Sequence, residues 1–214
     1  MGLMLDRLAY TVKRRLPGLF VFVERVARAV TVLRFGRRIA SSLARARVDG
    51  AVGGKPAVVR ALGPDDLPAL ERLLGAMPEA HLEFFHPHGF DAKSLRLVLG
   101  SRAFMTYGLF IEDAMIAYAL LKVSPSGAAF VGRLVTPELA GQGMGKVLAR
   151  YLYWQAALAG LRAHSTINKN NTASLQSHRA NREFRIVSEL ANGYLLIEFS
   201  RTPGDETPPV LDCP

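Results

Sequence analysis

The chain has 214 residues, half of them hydrophobic, which is a globular composition long enough for one domain and an appendage. Its one cysteine, Cys213, excludes an internal disulfide and a cysteine-based zinc site, and fits a reducing compartment such as the cytoplasm. The net charge of +9 is unevenly spread, because residues 1–50 carry eleven basic and three acidic residues. We therefore expect a charged partner for this segment rather than for the whole protein.

The segment 1–47 has the pattern of two basic amphipathic helices, broken at Pro17-Gly18. Helical spacing aligns apolar side chains in two stripes, one before the break (Leu5, Leu8, Val12, Leu16) and one after it (Leu19, Phe22, Val23, Val26, Val30, Leu33). The longest uncharged run, residues 16–23, is far shorter than the roughly 20 apolar residues of a membrane-spanning helix. Charged residues also interrupt the segment, which excludes a signal peptide.

These helices fit an anionic membrane surface, with the arginines at the lipid headgroups and the apolar stripe among the acyl chains. The protein would then be peripheral on the inner membrane surface. The alternative is that the stripe packs on the domain or on a second copy of the chain, as in a homodimer. Nucleic acid is the weaker partner, because no aromatic residues interleave with the arginines and no recognition motif follows.

Residues 48–56 (VDGAVGGKP) combine glycines with a proline and lack periodicity, which predicts a linker. Residues 57–200 then alternate strand-like and helix-like runs, including a predicted antiparallel meander over 105–135. This order predicts an α+β domain with a mixed, mainly antiparallel sheet flanked by helices. The tail, 201–214, is rich in proline and is predicted to be loose.

Three glycines, Gly141, Gly143 and Gly145, occupy alternate positions before a predicted helix over 143–158. Such glycines let a backbone approach an anion, and the N–H groups at a helix N-terminus can converge on it. The phosphate loop of NTPases is excluded, because Ala140 and Val147 replace its first glycine and its hydroxyl residue. The dinucleotide fingerprint is excluded because Lys146 stands where its last glycine belongs. The residues alone leave two alternatives, an anion cradle and a tight strand-to-helix turn.

The stretch VTPELAGQGMG, residues 135–145, resembles a signature of the GNAT superfamily of acyl-CoA-dependent N-acyltransferases, Arg/Gln-x-x-Gly-x-Gly/Ala after Val-x-Pro. The matching residues are Val135, Pro137, Gly143 and Gly145, whereas Ala140 departs from the expected Arg or Gln. A second stretch, NTASLQSH, is similar to the superfamily's Asn-x-x-Ala/Ser-x-x-x-Tyr/His, with Asn171, Ser174 and His178 in register. The Gly-Phe that usually follows is missing. The resemblance covers residues 57–200.

The resemblance implies that acetyl-CoA is the acyl donor and that its pantetheine arm enters between two splayed strands. Backbone groups around Leu134 and Val135 would hydrogen-bond the arm, and backbone N–H groups of the loop would hold the diphosphate (Gly141, Gln142, Gly143, Met144, Gly145, Lys146). Asn171 and Ser174 would complete the donor site. His178 stands where relatives place a Tyr or His that can reach the coenzyme sulfur, which implies a general acid. The alternative for His178 is a helix histidine that only packs.

The stretch HLEFFHPHGFD, residues 81–91, gathers three histidines among aromatic residues. The resemblance implies an acceptor pocket in this region, and the phrase FFHPHGF is similar to members that act in bacterial surface-glycan assembly. His86 is the predicted acceptor of the amine proton, and His88, Phe85 and Phe90 are predicted to bind the acceptor. One alternative is a turn whose phenylalanines join the core. A metal site lacks an obvious third ligand, so we expect no metal.

The leading hypothesis is an N-acetyltransferase that transfers the acetyl group of acetyl-CoA to a small primary amine, such as an amino sugar, by direct attack. The second hypothesis keeps the fold and acylates a peptide, an amino acid or an antibiotic amine. The third is a non-catalytic binding or scaffold protein that acts through its basic N-terminal helices. Ala140 and the missing Gly-Phe keep that third hypothesis open.

Overall fold

The computed structural model of this protein describes residues 17–181, 184–190 and 193–213. In this part of the chain the helices are α1 Pro17–Leu43, α2 Leu67–Gly75, α3 Glu79–Leu82, α4 Ala92–Gly100, α5 Met144–Leu158 and α6 Thr172–Asn181. The strands are β1 Val48–Val52, β2 Lys55–Ala61, β3 Phe104–Ile111, β4 Ala114–Val123, β5 Ala128–Val135, β6 Arg162–Asn168, β7 Phe184–Glu189, β8 Tyr194–Phe199 and β9 Asp212–Cys213. The predicted meander over 105–135 and the predicted long helix are confirmed.

One mixed sheet carries these strands in the order β7-β8-β6-β5-β4-β3-β2-β1-β9. The pairs β5–β6 and β1–β9 are parallel, and the other pairs are antiparallel. The predicted fold class, an α+β domain with a mainly antiparallel sheet, is therefore confirmed. The single parallel junction in the middle of the sheet, between β5 and β6, is the feature that positions the site.

Apolar side chains alternate along the central strands, so each face of the sheet has its own core. On β4, Ala119 and Leu121 point to the face covered by α5, whereas Tyr118 and Leu120 point to the face covered by α2 and α4. Both cores are closed to solvent at these positions, because these four side chains are at most 1% exposed. The two layers hold the central strands rigidly, which suits a site built on strand backbone.

The N-terminal helix α1 is half docked and half exposed. Its C-terminal half packs on α5, with Ile39 fully buried and the Ser42 hydroxyl 2.7 Å from Gln155 Oε1. From Phe22 to Leu33 the predicted stripe lies on the outer side of the helix, with Phe22 at 63% and Leu33 at 86% exposure. The structure describes this helix from Pro17 onward, and the first predicted helix lies outside the described residues.

The prediction of a linker over 48–56 is wrong. This stretch forms β1, a turn at Gly53-Gly54 and the first residues of β2. Both turn glycines have positive φ, 57° and 72°, as a two-residue hairpin turn requires. The glycine pair therefore marks a hairpin inside the sheet rather than a hinge between two units.

The prediction of a loose tail over 201–214 is wrong as well. Leu211 and Cys213 are buried, and β9 pairs with β1 in parallel. The pairing needs a glycine at position 50, since a Cβ atom there would lie 1.9 Å from the Leu211 carbonyl oxygen. The folded unit thus extends on both sides of the predicted range 57–200. Across the described residues, no helix has the combination of length and hydrophobicity that crossing a membrane requires.

Candidate functional site

Strands β5 and β6 separate soon after they begin to pair. Their parallel register covers Ala128↔Arg162, Ala129↔Ala163 and Phe130↔His164, and the described residues beyond these pairs diverge. A pocket of about 760 Å³ fills the gap. Its walls come from the end of β5, the end of β6, the glycine loop, the start of α6 and residues 81–87. The pocket therefore exposes strand backbone that would be paired in a closed sheet.

The alternation of β5 decides which backbone groups face this gap. The Thr136 N–H donates to the Ile116 carbonyl of the neighbouring antiparallel strand (3.0 Å), so even-numbered residues of β5 bond β4. Val131, Arg133 and Val135 consequently turn their backbone groups toward the gap. Leu134, predicted to bond the donor through its backbone, lines the pocket, but its backbone bonds β4 and its side chain is buried in the core under α2 and α4.

A histidine already contacts one of these backbone groups. His81 Nε2 lies 2.7 Å from the Val135 carbonyl oxygen, so that nitrogen donates its hydrogen and Nδ1 is the basic nitrogen of the neutral ring. The His81 side chain lines the pocket from α3. The sequence offered little signal for this placement, since His81 precedes the conspicuous His86-Pro87-His88 run.

The glycine loop joins β5 to α5 at the mouth of the gap. Gly141 and Gly143 have φ of 81° and 82°, and Gly143 is the N-cap of α5. A Cβ atom at either position would meet nothing within 4 Å, so backbone conformation rather than close packing requires these glycines. The loop is open on the side where Gly141 and Gly145 line the pocket.

The residues of the glycine loop that were predicted to hold the diphosphate use their backbone and side chains in different ways. The Lys146 N–H donates to the Gly143 carbonyl (2.9 Å), so it is used within the helix, and its side chain is exposed. The Met144 side chain is 2% exposed in the core, and the Gln142 amide donates to the Glu138 carbonyl. What the loop can offer an anion is therefore the backbone at the start of α5, aided by the helix dipole.

The second predicted motif lies on the opposite wall. Asn171 and Ser174 both line the pocket, and the Asn171 side-chain oxygen accepts the Ser174 backbone N–H at 3.0 Å. Asn171 thus caps the start of α6 and holds that wall in place. Its capping role explains the residue type without a ligand, so its predicted donor contact stays a prediction.

His178 lies at the floor of the pocket and is 3% exposed. Its Nδ1 is 3.1 Å from the Tyr153 hydroxyl, and its ring packs on Phe199 with 4.8 Å between centroids. Burial, and then the nearby charge of Arg133, lower the pKa of His178 from 6.5 to about 3. Burial thus disfavours the imidazolium near neutral pH, and the predicted role of His178 as a general acid stays a prediction.

Sequence reasoning missed two residues beside His178. Arg133 lines the pocket from β5 and hydrogen-bonds the Tyr153 hydroxyl, and Tyr153 on α5 is 2% exposed. Burial lowers the pKa of Arg133, while the Tyr153 hydrogen bond opposes that shift. The signal was a lone charge in the otherwise uncharged strand AAFVGRLV.

The structure separates the residues predicted to bind the acceptor. Phe84, Phe85 and His86 line the pocket, with Phe85 otherwise buried and His86 exposed at its edge. His88 and Phe90 do not line it. Phe90 stacks against Phe85 with ring centroids 6.3 Å apart and supports the pocket wall from behind.

His88 is held as a structural residue. Its Nδ1 lies 2.8 Å from the Gly89 carbonyl oxygen, so it donates there, and its Nε2 accepts the Tyr118 hydroxyl at 2.9 Å. Burial lowers the pKa of His88, consistent with this neutral form. His81 and His88 thus hydrogen-bond to different partners. In the described ranges, no group of three His, Cys, Asp or Glu residues could hold a metal ion.

No protein-family model matches this sequence, and no curated protein matches it either. Solved structures do. The GNAT domain of PAT from S. lividans superposes with a TM-score of 0.65 at 17% identity, covering 73% of this chain and 97% of that domain. The PaiA N-acetyltransferase of Thermoplasma acidophilum, solved with coenzyme A, gives a TM-score of 0.55 at 15% identity, covering 68% of this chain and 99% of that one.

An aminoglycoside acetyltransferase solved with coenzyme A and kanamycin also gives a TM-score of 0.55 at 15% identity, covering 71% of this chain and 98% of that one. These likenesses extend over nearly the whole of each solved chain. The protein therefore has the fold of the GNAT acetyltransferases.

Proposed function

We propose that the protein is an N-acetyltransferase that uses acetyl-CoA as its donor. The observation that carries this proposal is the gap between β5 and β6, with a positive-φ glycine loop and a helix N-terminus at its mouth. An extended arm can bond strand backbone in such a gap, and a diphosphate suits the N–H groups at the start of α5. Two neighbours of the same fold were solved with coenzyme A, which agrees with this assignment.

The residues for the arm differ from those predicted. Val135 presents its backbone groups to the gap, whereas the backbone of Leu134 bonds β4. Because His81 contacts the Val135 carbonyl and the Ser165 hydroxyl donates to the Val131 carbonyl (3.5 Å), we assign the arm to the Val135 N–H. Gly141, Gly143 and Gly145 would let the diphosphate approach, and Asn171 and Ser174 would border it from α6.

The chemistry follows from an activated thioester that an unprotonated amine attacks directly. A backbone N–H of β5 that faces the gap would polarise the carbonyl, as an oxyanion hole does. His86, exposed at the pocket edge, would accept the amine proton, directly or through water. His81, with Nδ1 as its basic nitrogen, is the second group positioned for that proton.

We propose a small primary amine as the acceptor, with an amino sugar as the preferred class. Phe84 is 38% exposed and borders the pocket beside His86, which suits stacking against a sugar ring. The test is acetyl transfer from acetyl-CoA to a panel holding a nucleotide-linked amino sugar, kanamycin, a free amino acid and an alanine-terminated peptide. The highest kcat/KM on the amino sugar supports this class, and a higher value on another acceptor replaces it.

We also propose that α1 holds the protein at an anionic membrane surface. The support is an exposed apolar stripe, led by Phe22 and Leu33, which no side chain in the described part of the chain buries, in a segment with a large excess of arginine. Exposed arginines border the stripe (Arg25, Arg34, Arg37). Their charge complements acidic headgroups, which favours a lipid surface over a second copy of this basic chain.

Vesicle flotation tests this proposal with full-length protein. The double variant Phe22→Ser, Leu33→Ser should bind phosphatidylglycerol-containing vesicles about tenfold less than the unmodified chain. Its matched control changes two exposed side chains elsewhere, Val187→Ser and Val210→Ser, which are 47% and 80% exposed. Equal flotation of both variants, or equal binding to uncharged phosphatidylcholine vesicles, contradicts the proposal.

A further inference from the structure

The proposed acetyl transfer does not use Arg133, a charged side chain that lines the pocket. Arg133 extends from β5 toward α5, and its Nε would lie 3.7 Å from a Cβ atom on Gly145. It lines the same pocket as His178, whose pKa its charge helps to lower. A guanidinium remains charged even where burial lowers its pKa, so the floor of the donor pocket carries a fixed positive charge.

The hydrogen bonds around Arg133 have a direction. A guanidinium can only donate, so the Tyr153 oxygen accepts from Arg133. The Tyr153 hydroxyl then donates its own hydrogen to His178 Nδ1, 3.1 Å away. In the neutral imidazole this arrangement places the remaining hydrogen on Nε2. The three residues thus form a relay that ends in one N–H donor at the pocket floor.

We propose that Arg133, acting through Tyr153 and His178, stabilises the negative charge of the coenzyme A thiolate, so that the thiolate departs without a general acid. This inference rests on the proposed transferase function. Arg133 and Tyr153 are positioning residues in this account, and the His178 Nε2–H is the group that meets the sulfur.

The electron balance of the step agrees with this role. The amine nitrogen forms the new bond to the carbonyl carbon, the carbon–sulfur bond breaks, and the sulfur leaves with the electron pair. The amine proton goes to the base on the acceptor side. No proton needs to reach the sulfur before it departs, and a neutral His178 could not supply one as an imidazolium. A fixed positive charge with an oriented donor is the arrangement that stabilises a thiolate.

Other titratable groups around this pocket could also influence a bound thiol. They are His81, His86, Lys122 and Tyr194. Lys122 is exposed on β4, where water screens its charge, whereas Arg133 is partly buried and hydrogen-bonded to Tyr153. Arg133→Met and Lys122→Met form a matched pair of substitutions, because each removes one positive charge from the same pocket. They differ in how strongly water screens the charge that is removed.

The experiment titrates coenzyme A labelled with carbon-13 at the atom bonded to sulfur, bound to full-length protein and followed by NMR. In the unmodified complex, the bound thiol should ionise about one to three pH units below the free thiol. Arg133→Met should remove most of this difference, and Arg133→Lys and Tyr153→Phe should keep part of it. Lys122→Met should leave it nearly unchanged.

Two results overturn the proposal. In one, Arg133→Met binds coenzyme A and its thiol ionises as in the unmodified complex. In the other, Arg133→Met weakens binding of coenzyme A and of desulfo-coenzyme A equally, which assigns the charge to the diphosphate. If Arg133→Met does not fold, unchanged ionisation in both Arg133→Lys and Tyr153→Phe decides against the proposal. Failure of the unmodified chain to bind coenzyme A would overturn the transferase function itself, and this inference with it.

Discussion

At the residue scale, the protonation of His178 links folding to pH. Its folded-state pKa is about 3, below the ordinary value of 6.5, because burial and Arg133 disfavour the imidazolium. The unfolded chain therefore binds a proton that the folded chain does not as the pH falls from 6.5 toward 3. The contribution of neutral His178 to the free energy of unfolding is fully present above pH 6.5. Below pH 6.5 it is lost progressively, by about 1.4 kcal/mol per pH unit.

Urea unfolding between pH 7 and 4.5 measures this effect. Over that range the free energy of unfolding should fall less in the His178→Gln variant than in the unmodified chain. The two slopes should differ by about 1.4 kcal/mol per pH unit, which corresponds to one bound proton. His88, whose pKa burial also lowers, is present in both proteins, so the difference isolates His178. Parallel stability curves for the two proteins would show that His178 is not held neutral.

The proton of the amine gives a second prediction at this scale. His86→Gln should lower kcat about a hundredfold and leave the dissociation constant of acetyl-CoA unchanged, because His86 lies on the acceptor side. His88→Gln is the matched control. It should reduce stability through its bonds to Tyr118 and Gly89 and leave kcat within about threefold of the unmodified enzyme. A larger loss of kcat in the control would reverse the two assignments.

At the element scale, α1 combines a structural half and an exposed half. Ile39 and Ser42 bury its C-terminal half against the domain, whereas Leu33, less than two turns away, is 86% exposed. Ile39→Ala should therefore lower the free energy of unfolding by about 2–4 kcal/mol and keep vesicle binding. Leu33→Ala should keep stability and weaken vesicle binding. The same outcome for both variants in either assay would contradict this division.

The hairpin β1–β2 and the terminal strand β9 form a second structural element. Gly50→Ala would bring a Cβ atom within 1.9 Å of the Leu211 carbonyl and force β9 away from β1. We expect a loss of about 2–4 kcal/mol in chemical denaturation. Gly100→Ala, where a Cβ atom meets nothing within 4 Å, is the control and should change stability little. Equal stability of the two variants would show that the tail is not docked.

At the scale of the whole molecule, periodicity and motifs predicted the centre of the fold and missed its edges. Apolar runs identified the meander and α5, and two motifs placed the glycine loop and α6 around one pocket. The hairpin turn Gly53-Gly54 has the same composition as a linker, and the pairing of β1 with β9 and of β2 with β3 places it inside the sheet. Such pairing is not local in sequence.

The sequence also predicted part of the candidate site. His86 and Phe85 line the pocket, in the region where the resemblance implied an acceptor site. The sequence could not predict that the backbone of Leu134 bonds β4 rather than facing the gap. A shift of one residue along a strand directs the backbone N–H and C=O groups to the opposite side. It also could not predict that His178 is neutral, because the cause is burial against Phe199 and a charge 45 positions earlier in the chain.

The central claim is that the gap and its glycine loop bind acetyl-CoA, and isothermal titration calorimetry on the full-length chain tests it most directly. The unmodified protein should bind, and Gly143→Trp should lose at least about a hundredfold in affinity by filling the loop. Gly54→Trp is the control, with a similar positive φ (72° against 82°) in a turn far along the sheet. It should bind as the unmodified protein does. No binding by the folded unmodified chain, or equal binding by Gly143→Trp, would mean that the loop is only a turn and that the protein is not an acetyl-CoA-dependent enzyme.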